Sequence, residues 1–114
     1  MAIHEGLVVT DSEQLYDLLG QGSLFRGCNL DEADFVSFDA EELEFEECSL
    51  RGTNFSGLAC QRFHAVDSDL SGARFENAEL HEAEIVKSNC TSAIFRSAKL
   101  NLSRFVDCDM TVCN

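Results

Sequence analysis

The chain has 114 residues, 21 acidic against 8 basic, and a net charge of -13. That balance argues against direct binding to nucleic acid or to anionic membrane surfaces, which call for a basic face. Hydrophobic residues make up 45% of the chain and nine are Phe, so disorder is excluded, while no apolar stretch approaches the ~18 residues of a membrane span.

The N-terminus lacks the basic-then-apolar profile of a signal peptide. In Thr10-Asp11-Ser12-Glu13 the spacing fits a capping box, followed by Leu15, Tyr16, Leu18 and Leu19 and stopped by Gly20 and Gly22. This predicts a short amphipathic helix over 11–19, within a non-repeating cap of residues 1–22 that covers the first coil of a repeat region.

From Phe25 a period of five takes over. Stepping by five from Phe25 to Met110 gives eighteen positions, all apolar, of which fourteen are Phe, Leu, Ile or Met. At this composition chance would produce the run roughly once in a million. A second uncharged column lies two residues before each centre, beginning Cys28, Ala33, Phe38, Leu43 and Cys48. Charges fall in the other three slots. Five matches neither an α-helix nor a flat strand. Two inward positions one residue apart make a very short strand, and the rest of the unit must turn the chain. Turn-tolerant residues close many units: Gly52, Gly57, Gly72, Asn77, Ser92 and Ser97. Coils of this kind hydrogen-bond through nearly every backbone N–H, which accounts for the complete absence of proline.

Ala33-Asp34-Phe35, Thr53-Asn54-Phe55, Ser68-Asp69-Leu70-Ser71-Gly72, Ala73-Arg74-Phe75, Ala78-Glu79-Leu80 and Ala98-Lys99-Leu100 resemble the pentapeptide-repeat family. The resemblance implies an all-β fold, a right-handed quadrilateral β-helix with four pentapeptides per coil, here about 4.5 coils over residues 23–114. Residues twenty apart then stack. Phe35, Phe55, Phe75 and Phe95 form one column over the small residues Ala33, Thr53, Ala73 and Ala93. Elsewhere Phe38 sits with Ala40, Leu58 with Cys60, and Phe63 with Ala65, so bulk alternates as a narrow interior requires. The last coil leaves Phe95, Leu100, Phe105 and Met110 as a candidate end-stacking surface. The resemblance implies a homodimer through these C-terminal coils.

All six cysteines (28, 48, 60, 90, 108 and 113) fall in inward columns with no C-x-x-C pair. They read as small buried thiols of a reducing, cytoplasmic compartment, with export as an effector also compatible. The histidines share no column with them, so no metal site and no catalytic pair is expected, and no cofactor. A short convex rod without a cleft is not expected to be an enzyme.

Function must therefore lie on the outward slots. Residues 1–50 carry a net charge of -12 and residues 51–114 only -1. Asp39, Glu41, Glu42, Glu44, Glu46 and Glu47 form a candidate surface for an unidentified protein partner. Val66, Val86 and Val106 repeat at twenty-residue spacing as a candidate apolar contact stripe. The favoured reading is a non-enzymatic protein-interaction or scaffold module, such as the targeting domain of a bacterial effector. The resemblance offers an alternative, a DNA mimic that binds a type II topoisomerase and protects it from inhibitors.

Overall fold

The structure is a computed structural model that describes residues 2–9, 23–111 and 113. The expected helix over 11–19 lies outside these residues. Among the described residues seven strands, β1 (Ala2–Glu5), β2 (Ser23–Arg26), β3 (Asp39–Glu46), β4 (Ala59–Val66), β5 (Glu79–Leu80), β6 (Glu84–Val86) and β7 (Arg104–Val106), form one parallel sheet in the order β1-β2-β3-β4-β6-β7, with β5 also on β4. No helix occurs among the described residues. The chain is an all-β parallel solenoid.

Its register is set by the five-residue unit. Phe25 stands opposite Phe45, Phe45 opposite Ala65, Ala65 opposite Ile85 and Ile85 opposite Phe105. Isolated bridges continue the same step on other sides, as in Asp34, Asn54, Arg74 and Ile94. Four pentapeptides thus complete each turn. We number the faces from the units 23–27, 28–32, 33–37 and 38–42 and their stacked equivalents.

The unit 53–57 shows why the period forbids proline. Thr53 N–H closes a turn on Leu50 O (3.3 Å), Asn54 N–H reaches up one coil to Ala33 O (2.9 Å), and Phe55 N–H reaches down to Arg74 O (2.7 Å). Ser56 N–H donates to Asn54 Oδ1 (3.0 Å) and Gly57 N–H to Glu76 O (2.9 Å). Every amide of the unit has an acceptor. The Asp or Asn preceding the centre has a local task on the second and third faces, where its side-chain oxygen receives the amide two residues on: Asn29, Asp34, Asn54, Asp69, Asn89 and Asp109 all do so.

The unit ends in the left-handed region. Gly52, Gly57, Gly72, Asn77, Ser92 and Ser97 all have φ between 59° and 69°, as their residue types suggested. At Gly57 a Cβ would also lie 3.1 Å from Ser37 Oγ, so glycine is favoured there by both torsion and space. The corner between the fourth and first faces departs from this rule. Glu82 and Leu102 are left-handed, but Glu42 and Arg62 in the equivalent positions are not. Strands β3 and β4 therefore run eight residues straight through that corner.

The interior follows the two inward columns. Every centre from Phe25 to Cys90 is buried. The expected phenylalanine column stacks with centroids 4.9, 4.8 and 4.9 Å apart along Phe35, Phe55, Phe75 and Phe95. Phe63 meets Phe55 and Phe75 edge-on at 87°, filling the space beside Ala65 in the geometry aromatic quadrupoles favour.

Residues 2–9 differ from expectation. They extend the repeat instead of standing outside it. Ala2 pairs with Ser23 and Val8 with Asn29, an offset of 21 residues in place of 20. The one extra residue between Val9 and Ser23 displaces this tier from the five-residue phase, which hid it in the sequence. Val9 is buried, and His4 takes the centre position, its ring 5.0 Å from that of Phe25.

The cysteines do more than fill space. At the corner between the first and second faces, Cys28, Cys48, Ser68, Ser88 and Cys108 form one column of thiols and hydroxyls. Cys48 N–H donates to Ser68 Oγ (3.2 Å) and Ser68 N–H to Ser88 Oγ (3.2 Å). The Cys48 thiol in turn donates to Phe25 O (3.2 Å), and Cys108 to Ile85 O (3.1 Å). On the next corner Thr53 Oγ1 and Cys113 Sγ reach back in the same way to Leu30 O and Cys90 O. Each side chain ties its coil to the one before. Cys48→Ser is expected to keep stability within about 1 kcal/mol, whereas Cys48→Val should cost about 1–3 kcal/mol by stranding buried acceptors; denaturant titration of both variants checks this order.

Candidate functional site

The three surfaces singled out in the sequence occupy different parts of the rod. Asp39, Glu41, Glu42, Glu44, Glu46 and Glu47 lie on and just after β3. Because that strand continues through the corner, the six follow one continuous stretch of chain, with Asp39 on the fourth face and Glu44 and Glu46 on the first.

These six acids are not equivalent. Glu46 accepts from Arg26 Nε at 2.9 Å, and Arg26 also lies 3.6 Å from Glu5. Glu42 accepts from Arg62 at 3.2 Å. Further down, Lys99 lies 3.7 Å from Glu79 and Arg104 3.9 Å from Glu84. Each pair joins neighbouring coils, and at these exposures solvent screens most of its strength. Asp39, Glu41 and Glu47 are exposed with no basic partner within ion-pair distance among the described residues.

Glu44 is the crowded member. It shares a hydrogen bond with Glu42 and is partly buried, and both effects hold its carboxyl above the ordinary carboxylate range. The same hydrogen bond, helped by Arg62, holds Glu42 below that range. A carboxyl raised in the fold binds protons that the unfolded chain releases, so its contribution is present at low pH and lost as pH rises through the raised value. Glu42 has the opposite sign and loses its contribution as pH falls below the usual Glu range. Glu44→Gln should therefore raise the melting temperature at pH 7 and flatten the loss of stability between the ordinary Glu value and neutrality; melting curves from pH 4 to 8 would show both.

Val66, Val86 and Val106 stack in register on the first face. All three are half-buried, and Val66 and Val86 form one wall of a groove. Its other wall is the column Glu44, His64 and Glu84, with Glu46 above Val66 and a floor of Phe45 and Ala65, enclosing about 130 Å³. A second, wider groove of about 430 Å³ runs down the fourth face between Asp39, Glu79 and Lys99 on one side and Gln61, His81 and Asn101 on the other. It opens because Ala59 interrupts the column of long side chains.

At the far end, burial fades over the last coil. Phe95, Leu100 and Phe105 are half-buried and Met110 is 36% exposed. The outward Leu102 is 74% exposed on the same coil. Ser103 Oγ is buried there with no hydrogen-bond partner among the described residues.

Burial pushes the Cys48 and Cys60 thiols up to about 11 and that of Cys90 to about 12, which leaves them without nucleophilic thiolate at neutral pH. Among the described residues no cluster of His, Cys, Asp and Glu has metal-binding geometry. Among them, too, no helix is long and apolar enough to cross a membrane.

Comparison with known proteins bears on the fold. Residues 21–57 match the family model described as Pentapeptide repeats, in eight copies. No curated protein sequence matches the chain. Among solved structures, the pentapeptide repeat protein Rfr23 from the cyanobacterium Cyanothece 51142 is similar at 18% identity, with a TM-score of 0.50 over 99% of this chain and 81% of that one. A trypsin-treated form of QnrB1, a plasmid-mediated fluoroquinolone resistance protein, gives 18% identity and a TM-score of 0.45. That match covers 99% of this chain and 55% of the QnrB1 chain. Identities this low establish likeness of fold alone.

Proposed function

Since the chain belongs to the pentapeptide-repeat family, we propose that it is a non-enzymatic protein-interaction or scaffold module, right-handed and quadrilateral as the family implies. The carrying observation is the β3 stretch and the residue after it, which present Asp39, Glu41 and Glu47 without an ion-pair partner among the described residues, beside a half-buried valine stripe. A buried repeat core fixes these side chains on a rigid support, and no described residue offers an activated nucleophile beside a base. The module fits the targeting part of a larger bacterial factor and a cytoplasmic setting, where buried thiols stay reduced.

The distribution of charge supports this reading over DNA mimicry. No outward column among the described residues carries acids in three successive coils; the column of Glu46, for example, continues as Val66, Val86 and Val106. Asp34, Asp69 and Asp109 are also engaged in their own turns, so part of the negative charge serves the backbone. A duplex presents phosphates at every step along its axis.

The combined variant Asp39→Asn, Glu41→Gln and Glu47→Gln should fold as the parent does and lose partner capture from cell extract, with the parent's capture weakening as salt rises. Capture unchanged by the triple variant would refute the acidic edge as the contact. The apolar last coil is proposed to stack on a second copy of the chain. Light scattering should then give a dimer that Leu100→Glu converts to monomer, and a monomeric parent would contradict the stacking.

A further inference from the structure

The smaller groove on the first face joins two features that the sequence presents separately. Its walls differ in chemistry: the methyl groups of Val66 and Val86 face the acid-bearing column of Glu44, His64 and Glu84. Its volume of about 130 Å³ would hold on the order of four waters at ~30 Å³ each, or one long unbranched side chain.

The charges around it are unevenly matched. Along β3, Glu42 and Glu46 each have a guanidinium, from Arg62 and Arg26 respectively. Glu44 between them has His64 below it in the next coil and then Glu84. Arg104 pairs with Glu84 at 3.9 Å. Of the carboxylates lining the groove, Glu44 alone has no arginine or lysine within ion-pair distance among the described residues. A cation entering here would relieve the crowding of Glu42, Glu44 and Glu46 on a single strand.

We infer that this groove seats a lysine side chain from an extended segment of a partner protein, its stem along Val66 and Val86 and its ammonium on Glu44. The inference rests on the interaction reading above and names the chemistry of the partner. Lysine fits better than arginine for a geometric reason. Glu44 already shares a hydrogen bond with Glu42, which leaves a single-point contact that suits a compact ammonium with three rotatable donors. A planar guanidinium favours two oxygens of one carboxylate. The four-carbon stem covers apolar surface while the head stays polar.

The test is an NMR titration of the full chain with a capped Gly-Val-Lys-Val-Gly peptide and with its Nε-acetyl-lysine counterpart. Amide shifts are expected at residues 44–46, 64–66 and 84–86, with the acetylated peptide binding about tenfold more weakly through loss of the charge-assisted bonds. Glu44→Gln and Val86→Thr should each weaken binding several-fold, while Glu32→Gln, exposed on the second face away from the groove, should leave it unchanged. If Val86→Thr loses its dispersed spectrum, Val66→Thr takes its place. Equal binding of the acetylated peptide, shifts elsewhere, no shifts at all, or an equal effect of Glu32→Gln would overturn the inference. A silent groove alongside acid-dependent capture in extract would remove only the lysine seat. Capture indifferent to the acids would instead remove the interaction reading itself.

Discussion

The structure depends on one constraint: each backbone amide of a five-residue unit has a designated acceptor, most of them one coil away. Thr53 through Gly57 illustrate the full set. Once those bonds are formed, only two side chains per unit can point inward, and most units end in the left-handed region. Composition reflects this in part. Proline has no position, and glycine, asparagine and serine hold many corners, although Glu32, Lys87 and Leu102 take the same conformation at others. The buried columns take whatever volumes complement their neighbours. Even the polar interior, with its thiols and hydroxyls at 28, 48, 68, 88 and 108, serves the same end by closing corners through the side chain of the next coil.

Because the core and backbone are so tightly prescribed, the outward slots are free to vary. This chain uses that freedom unevenly. Acids collect on the coil containing β3, where the corner is straightened, and valines occupy the lower part of the same face. Ion pairs between coils, such as Arg26 with Glu46 and Arg62 with Glu42, neutralise some acids and leave others exposed. The surface carries distinct microenvironments set a few ångströms apart by the coil spacing.

The period of five made the solenoid, its register and its phenylalanine stacks readable from residue order, because each is a periodic consequence of the ladder. The valine stripe was readable for the same reason. Non-periodic features were not. Residues 2–9 escaped because a single extra residue shifted them out of phase, although Leu7 and Val9 retain the two-residue spacing of an inward pair. The straight corner at Glu42 and Arg62 gives no signal in residue type, since the left-handed equivalents are Glu82 and Leu102. The role of the cysteines as donors could have been inferred from their column, which they share with serines. The partition of the acidic residues into paired and unpaired required the cross-coil neighbours of each.

The 21-residue step between Ala2 and Ser23 carries a broader implication. The strand re-enters in register, so the lattice accepts added length between tiers so long as the next inward pair returns to its column. A solenoid of this kind is open to grafting: a foreign loop spliced at a corner need only restore phase, not mimic the repeat. Evolution or an engineer could lengthen the rod or decorate it one corner at a time, with the stacked core acting as a ruler that resets after every insertion.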